Sequence, residues 1–231
     1  MNINRASFLS AAAATAAAGA LRVPAMAAAA TGPISYTAFL ASARAPFKHK
    51  QLFTSPRANN GAIFGFMRNS LNGYQFGWGE GPGTLHAVAV MNGIGVAQGV
   101  NDIGWGSYRF ADLLAAGNDP VKTAGADRGN PWLHAAALYP RNDADQNAPY
   151  NQDVSIETLQ RRGVTIFVCD NALRGLAMKA VDAGYAAGKS VDTVHGDLRA
   201  NLVPGALLVP AGVTTIDALQ QEHFTLYDAS V

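Results

Sequence analysis

Apolar and polar positions along this chain fall into two kinds of block. Continuous apolar runs occur at Leu85–Met91 (LHAVAVM), 164–168 (VTIFV) and 206–209 (ALLV), as in strands buried on both faces. Two shorter runs, 51–55 ending at Pro56 and 224–227, also read as strands. Between them lie segments with apolar residues three and four apart, the helical spacing. One carries Ile63, Phe64, Met67 and Leu71, with Asn60 placed to cap it. Others cover 105–115 (Tyr108, Leu113, Leu114), 155–162 before Gly163, 172–187 (Leu173, Leu176, Ala180, Tyr185) before Gly188, and 213–222. Val203-Pro204-Gly205 marks a turn, and the glycine-rich stretch 77–83 a loop. Strand, helix, strand, helix with short links predicts an α/β fold, its parallel sheet covered on both sides.

Two stretches stand outside this pattern. Residues 1–27 read as a signal peptide: Arg5 is the positive start, residues 8–21 are apolar, and Ala25-Met26-Ala27 is a small-x-small cleavage site. Residues 4–9 (NRASFL) are similar to the twin-arginine export motif, with Asn4 where its first arginine would stand. The bland alternative is a disordered alanine-rich tail. Residues 28–46 form a lead-in, and 47–231 one domain. Within it, residues 117–151 hold Pro120, Pro131, Pro140 and Pro149 among many Asn, Asp and Gly, which predicts a long insertion. The expectation is therefore an exported, periplasmic protein.

Charge narrows the partners. Removing residues 1–27 takes away Arg5 and Arg22 and leaves 15 basic residues against 16 acidic ones. That balance gives no basic patch for nucleic acid. No stretch of the mature chain reaches the roughly 18 apolar residues of a membrane span. One cysteine allows no intrachain disulfide and no cysteine-rich zinc site.

That cysteine is the sharpest chemical feature. Cys169 follows the 164–168 run, so it sits at the carboxyl end of a core strand, where open parallel sheets build their sites. Asp170 and Asn171 can cap the helix that follows. A thiol at a helix start faces the positive end of the dipole, which favours the thiolate. Arg174 in the first turn would add to this and Asp170 would oppose it. The opposing reading is a buried, inert cysteine.

Residues 163–175 (GVTIFVCDNALRG), 202–212 (LVPGALLVPAG) and 219–227 (LQQEHFTLY) together resemble the C-terminal half of DsrE/DsrF-like proteins. The likeness is close from Ser155 to Tyr227 and weaker from Phe47 to Asp112. Asn92-Gly93 stands where such proteins often have His-Gly, and the insertion lies outside the family's core. The resemblance implies a flavodoxin-like three-layer sandwich with a mostly parallel sheet of about five strands, assembled as a homo-oligomer. It also implies a sulfur relay in which Cys169 carries a persulfide; Asn171, Arg174, Asn92 and Gly93, which adjoin the strand ends, are the expected substrate-binding residues. The alternative is a non-catalytic oligomeric module that binds a small molecule or a partner.

Other motifs are weaker. Residues 93–99 (GIGVAQG) have G-x-G-x-x-x-G spacing after a strand, but no acidic residue closes a second strand about 20 residues on, so a tight turn is favoured over a dinucleotide site. His49, His86, His134, His195 and His223 show no metal-ligand spacing, and His49 and His86 read as structural. Ser55 and Ser107 lack a nucleophile-elbow context. Asp102 and Trp105 read as a helix cap and a core residue; Tyr74, Phe76 and Trp78 could line a groove or a subunit contact. No cofactor and no metal are expected.

Overall fold

The computed structural model describes residues 32–135 and 153–230. The signal segment and the second half of the insertion, from residue 136 on, lie outside the described residues. Five strands form one all-parallel sheet: β1 (His49–Ser55), β2 (Leu85–Met91), β3 (Thr165–Cys169), β4 (Leu207–Val209) and β5 (Thr225–Asp228). Their spatial order is β4-β3-β2-β1-β5. Around the sheet lie α1 (Tyr36–Ala43), α2 (Ala62–Asn72), α3 (Asp102–Ser107), α4 (Phe110–Ala116), α5 (Ile156–Arg161), α6 (Asp170–Asp182), α7 (Val191–Ala200) and α8 (Gly212–Gln221). The architecture is a flavodoxin-like three-layer sandwich.

The central strand shows why its run is apolar throughout. All seven residues of β2 are buried. Ala87, Ala89 and Met91 face the larger core with α2 and α6, while Val88 and Val90 face a smaller core with α1 and α8. From β1 to β4 the chain moves outward one strand at a time, with its helices on the larger-core face. After β4 it returns to β1's far side to place β5. A right-handed crossover run in the reverse direction falls on the opposite face. Helix α6 after β3 and helix α8 after β4 therefore leave toward opposite faces.

Several local expectations shift. Asn60 is not the cap of α2; Gly61 is, at φ +78. The Asn60 side chain instead accepts from the Lys122 N–H at 2.8 Å, tying down the start of the insertion. The helix expected over 105–115 is two, α3 and α4, broken at Arg109 with φ +51. Helices α1 and α7 add to the elements read from sequence. The part of the insertion that is described is anchored: Trp132 and Leu133 are buried, and the Asn130 amide donates to the carbonyls of Gln98 and Val100 at 2.9 and 2.8 Å. Among the described residues no helix is long and apolar enough to cross a membrane.

The 93–99 glycines are explained by close approach. A Cβ on Gly95 would lie 2.7 Å from the carbonyl oxygens of both Ser55 and Arg57, and one on Gly99 2.6 Å from a Val168 methyl. Backbone cannot yield as a side chain tip can. Gly95→Ala is therefore expected to destabilise by about 1–3 kcal/mol, read as a lower urea midpoint at unchanged m-value. A midpoint equal to wild type would refute this account of the turn.

Candidate functional site at the ends of β2, β3 and β4

Helices α6 and α8 leave the carboxyl ends of β3 and β4 toward opposite faces, which is the switch-point position for ligand sites in such sheets. Cys169 ends β3 and pairs with Val209 of β4. Its Sγ accepts the Ala172 N–H at the start of α6 (3.3 Å) and the Gly212 N–H at the start of α8 (3.1 Å). The cysteine thus caps α6 itself, in place of Asp170 or Asn171. Two helix starts aim donors at one sulfur, an arrangement that an anionic sulfur accepts more strongly than a neutral thiol. The residue is free and buried, at 5% exposure.

Asn92 joins this site from the end of β2. A Cβ on Gly212 would stand 2.8 Å from the Asn92 Cβ and 3.5 Å from the Cys169 Cβ. Glycine at 212 lets these three strand ends approach. The Asn92 Oδ1 is buried without a hydrogen-bond partner. Gly93 is exposed, at φ +50, and fits against the Pro56 carbonyl. Asn171 lies exposed at the rim, its N–H donating to the Pro210 carbonyl at 3.3 Å. Arg174 pairs with Asp192 at the start of α7 at 2.7 Å, so its charge is directed along that helix pair.

No local sequence signal marks a buried ionic cluster at the residue next to Cys169. Asp170, buried as the first residue of α6, accepts from His195 Nε2 (2.8 Å) and from Arg199 Nε (2.8 Å) and Nη2 (2.5 Å), both on α7. Burial works to raise the Asp170 pKa, but the hydrogen bonds from Arg199 and His195 outweigh it and hold the carboxyl below its ordinary value. The spacing His195-x-x-x-Arg199 places both on one helical face; nothing local pairs them with Asp170.

Of the other candidates, Trp105 is a core residue whose Nε1 donates to the Ala126 carbonyl at 2.7 Å. The α3 cap is Asn101, and Asp102 instead holds the insertion: it accepts from the Asn130 N–H and meets His134 Nε2 at 2.7 Å. His134 Nδ1 meets Glu157 at 2.9 Å, and these two carboxylates raise its pKa. His49 packs tilted against Tyr74, with 4.3 Å between ring centroids. Among the described residues no group of three or more His, Cys, Asp or Glu could hold a metal ion. The chain matches no protein-family model, no curated protein and no solved structure. The DsrE/DsrF likeness therefore rests on the residues quoted for it.

Proposed function

We propose that this is an exported sulfur-handling protein that carries sulfane sulfur on Cys169. The observation that carries the reading is the pair of backbone donors, from two helix starts, on a strand-end thiol at the switch point. The Cys169 thiolate attacks the outer sulfur of thiosulfate or a polysulfide. One S–S bond forms and one breaks, and sulfite or a shortened polysulfide leaves. The resulting persulfide keeps the negative charge near the Ala172 and Gly212 N–H groups. An acceptor thiolate then takes the outer sulfur and frees Cys169, with no net oxidation. Asn92 and Asn171 are the polar side chains at hand to orient the donor, and Gly93 keeps the rim open. At 5% exposure the sulfur is loaded only when its cover shifts, so loading is slow.

The experiment is intact-protein mass spectrometry after incubation with polysulfide. The expected result is a gain of about 32 Da, reversed by a thiol and absent in Cys169→Ser. No gain on wild type overturns the reading.

A second reading has its own observation. A mostly apolar cleft of about 360 Å³ lies between α1 and α8, lined by Tyr36, Phe39, Pro210 and Ala218 among others. With Cys169 buried, the protein would then be an oligomeric binding module with an inert thiol. Native thiol titration separates the two: labelling only after denaturation favours the module.

A further inference from the structure

Arg162 sits far from Cys169, just beyond α5, and is 7% exposed. Arginine stays protonated when buried. Here burial, with the like charge of Arg68 adding to it, brings the pKa down to about 10, which leaves the group charged at neutral pH. One hydrogen bond reaches it, from Nη2 to Gln75 Oε1 at 3.2 Å. Nη1 is buried and has no partner. No carboxylate among the described residues answers this charge. Glu80, in the adjacent glycine-rich loop, is taken by Lys48 Nζ at 2.6 and 2.5 Å.

A buried cation left unpaired costs several kcal/mol. Natural folds meet that cost with a counter-charge, and here the protein offers space for one instead. Arg162 lines a cavity of about 20 Å³ together with Gln75, Tyr74, Gly81, Gly83 and Thr84. That volume admits one particle about the size of a water molecule, whose threshold is roughly 10–15 Å³ on the same measure. It is too small for a whole tetrahedral oxyanion. Gly81 and Gly83, at φ +82 and +78, put bare backbone rather than side chains on the wall. The loop that the sequence marks only as glycine-rich thus closes over a positive charge.

We propose that Arg162, Gln75 and the 81–84 turn form a binding site for a small monovalent anion of the chloride class. The ion sits beside the Arg162 guanidinium and supplies the missing counter-charge. It ties α5 to the loop that carries Trp78, and so couples the order of that loop to halide concentration.

The test is thermal melting of the full chain at constant ionic strength, with chloride replaced stepwise by gluconate, which is too large to enter. Wild type is expected to gain a few degrees in a saturable way as chloride rises. Arg162→Met is expected to show no such dependence. Equal chloride dependence in both proteins, or none in wild type, overturns the proposal. Wild-type crystals grown in sodium bromide give a readout that needs no variant. An anomalous peak in the cavity beside the Arg162 guanidinium supports the site, and its absence overturns it. Acetate in place of chloride distinguishes a free halide from a carboxylate head: acetate alone reproducing the gain would overturn the halide assignment.

Discussion

Asp170→Ala is expected to lower stability by about 3 kcal/mol, on the order of 10 °C in melting temperature for a domain of this size. The change leaves His195 and Arg199 facing each other with no carboxylate between them. The figure sits at the low end for a broken buried pair because the Arg199 side chain is 30% exposed and regains some water. The pH dependence gives a second signature. The Asp170 pKa is held below its unfolded value, so its contribution is present above that unfolded value, near 4. It is lost as pH falls through the folded value. Chemical denaturation of wild type and variant between pH 6 and 2 should therefore converge at the acid end. A difference under 1 kcal/mol at pH 6 would show that the cluster behaves as an ordinary surface pair. Because Asp170 adjoins Cys169, the variant should also load sulfur less completely at temperatures where it remains folded.

The second large effect is acid destabilisation through His86. Its ring lies between Phe47 (4.5 Å) and Phe224 (5.2 Å), and it is 3% exposed. Nε2 meets Thr165 Oγ1 at 3.3 Å, and Nδ1 has no partner. Burial, and then the charge of Lys50, bring the pKa down to about 4. Between that value and the unfolded value near 6.5, the unfolded chain binds a proton that the folded one refuses. Stability therefore falls as pH drops through this window, by about 3 kcal/mol in full. His86→Phe keeps an aromatic ring in the stack and removes the titration. Its stability should be flatter from pH 7 to 4 than that of wild type. His134, whose pKa is raised, acts in the opposite sense but is common to both proteins and cancels in the difference. Parallel pH profiles for the two proteins would refute the assignment.

The apolar runs made the strands legible because burial on both faces leaves no room for alternation. β2, β3 and β4 were read within a residue or two, as was the helix over Gly212–Gln221. Helix α7 is not legible from its pattern, although Ser190 caps it and Val191, Val194 and Leu198 repeat at helical spacing. The flank of its packed side carries Asp192, His195 and Arg199, and this polar content masks the period. The break between α3 and α4 has no strong local signal either, since Arg109 is an ordinary residue held at positive φ by its surroundings.

At the candidate site, sequence alone determined that the one cysteine ends a core strand and precedes a helix, because both periods meet at Cys169. It also placed Asn92 at the end of another core strand. What it could not carry was distance across the sheet. The Gly212 N–H reaches Sγ, Asp170 engages α7, and Arg162 is buried beside a second cation only because crossovers stack elements far apart in sequence. Hydrophobic period is a local property of the chain, whereas the pairing of polar groups is set by which elements the fold brings into contact. That is why the strands could be read residue by residue, while the partners of the buried polar groups were decided by the tertiary structure.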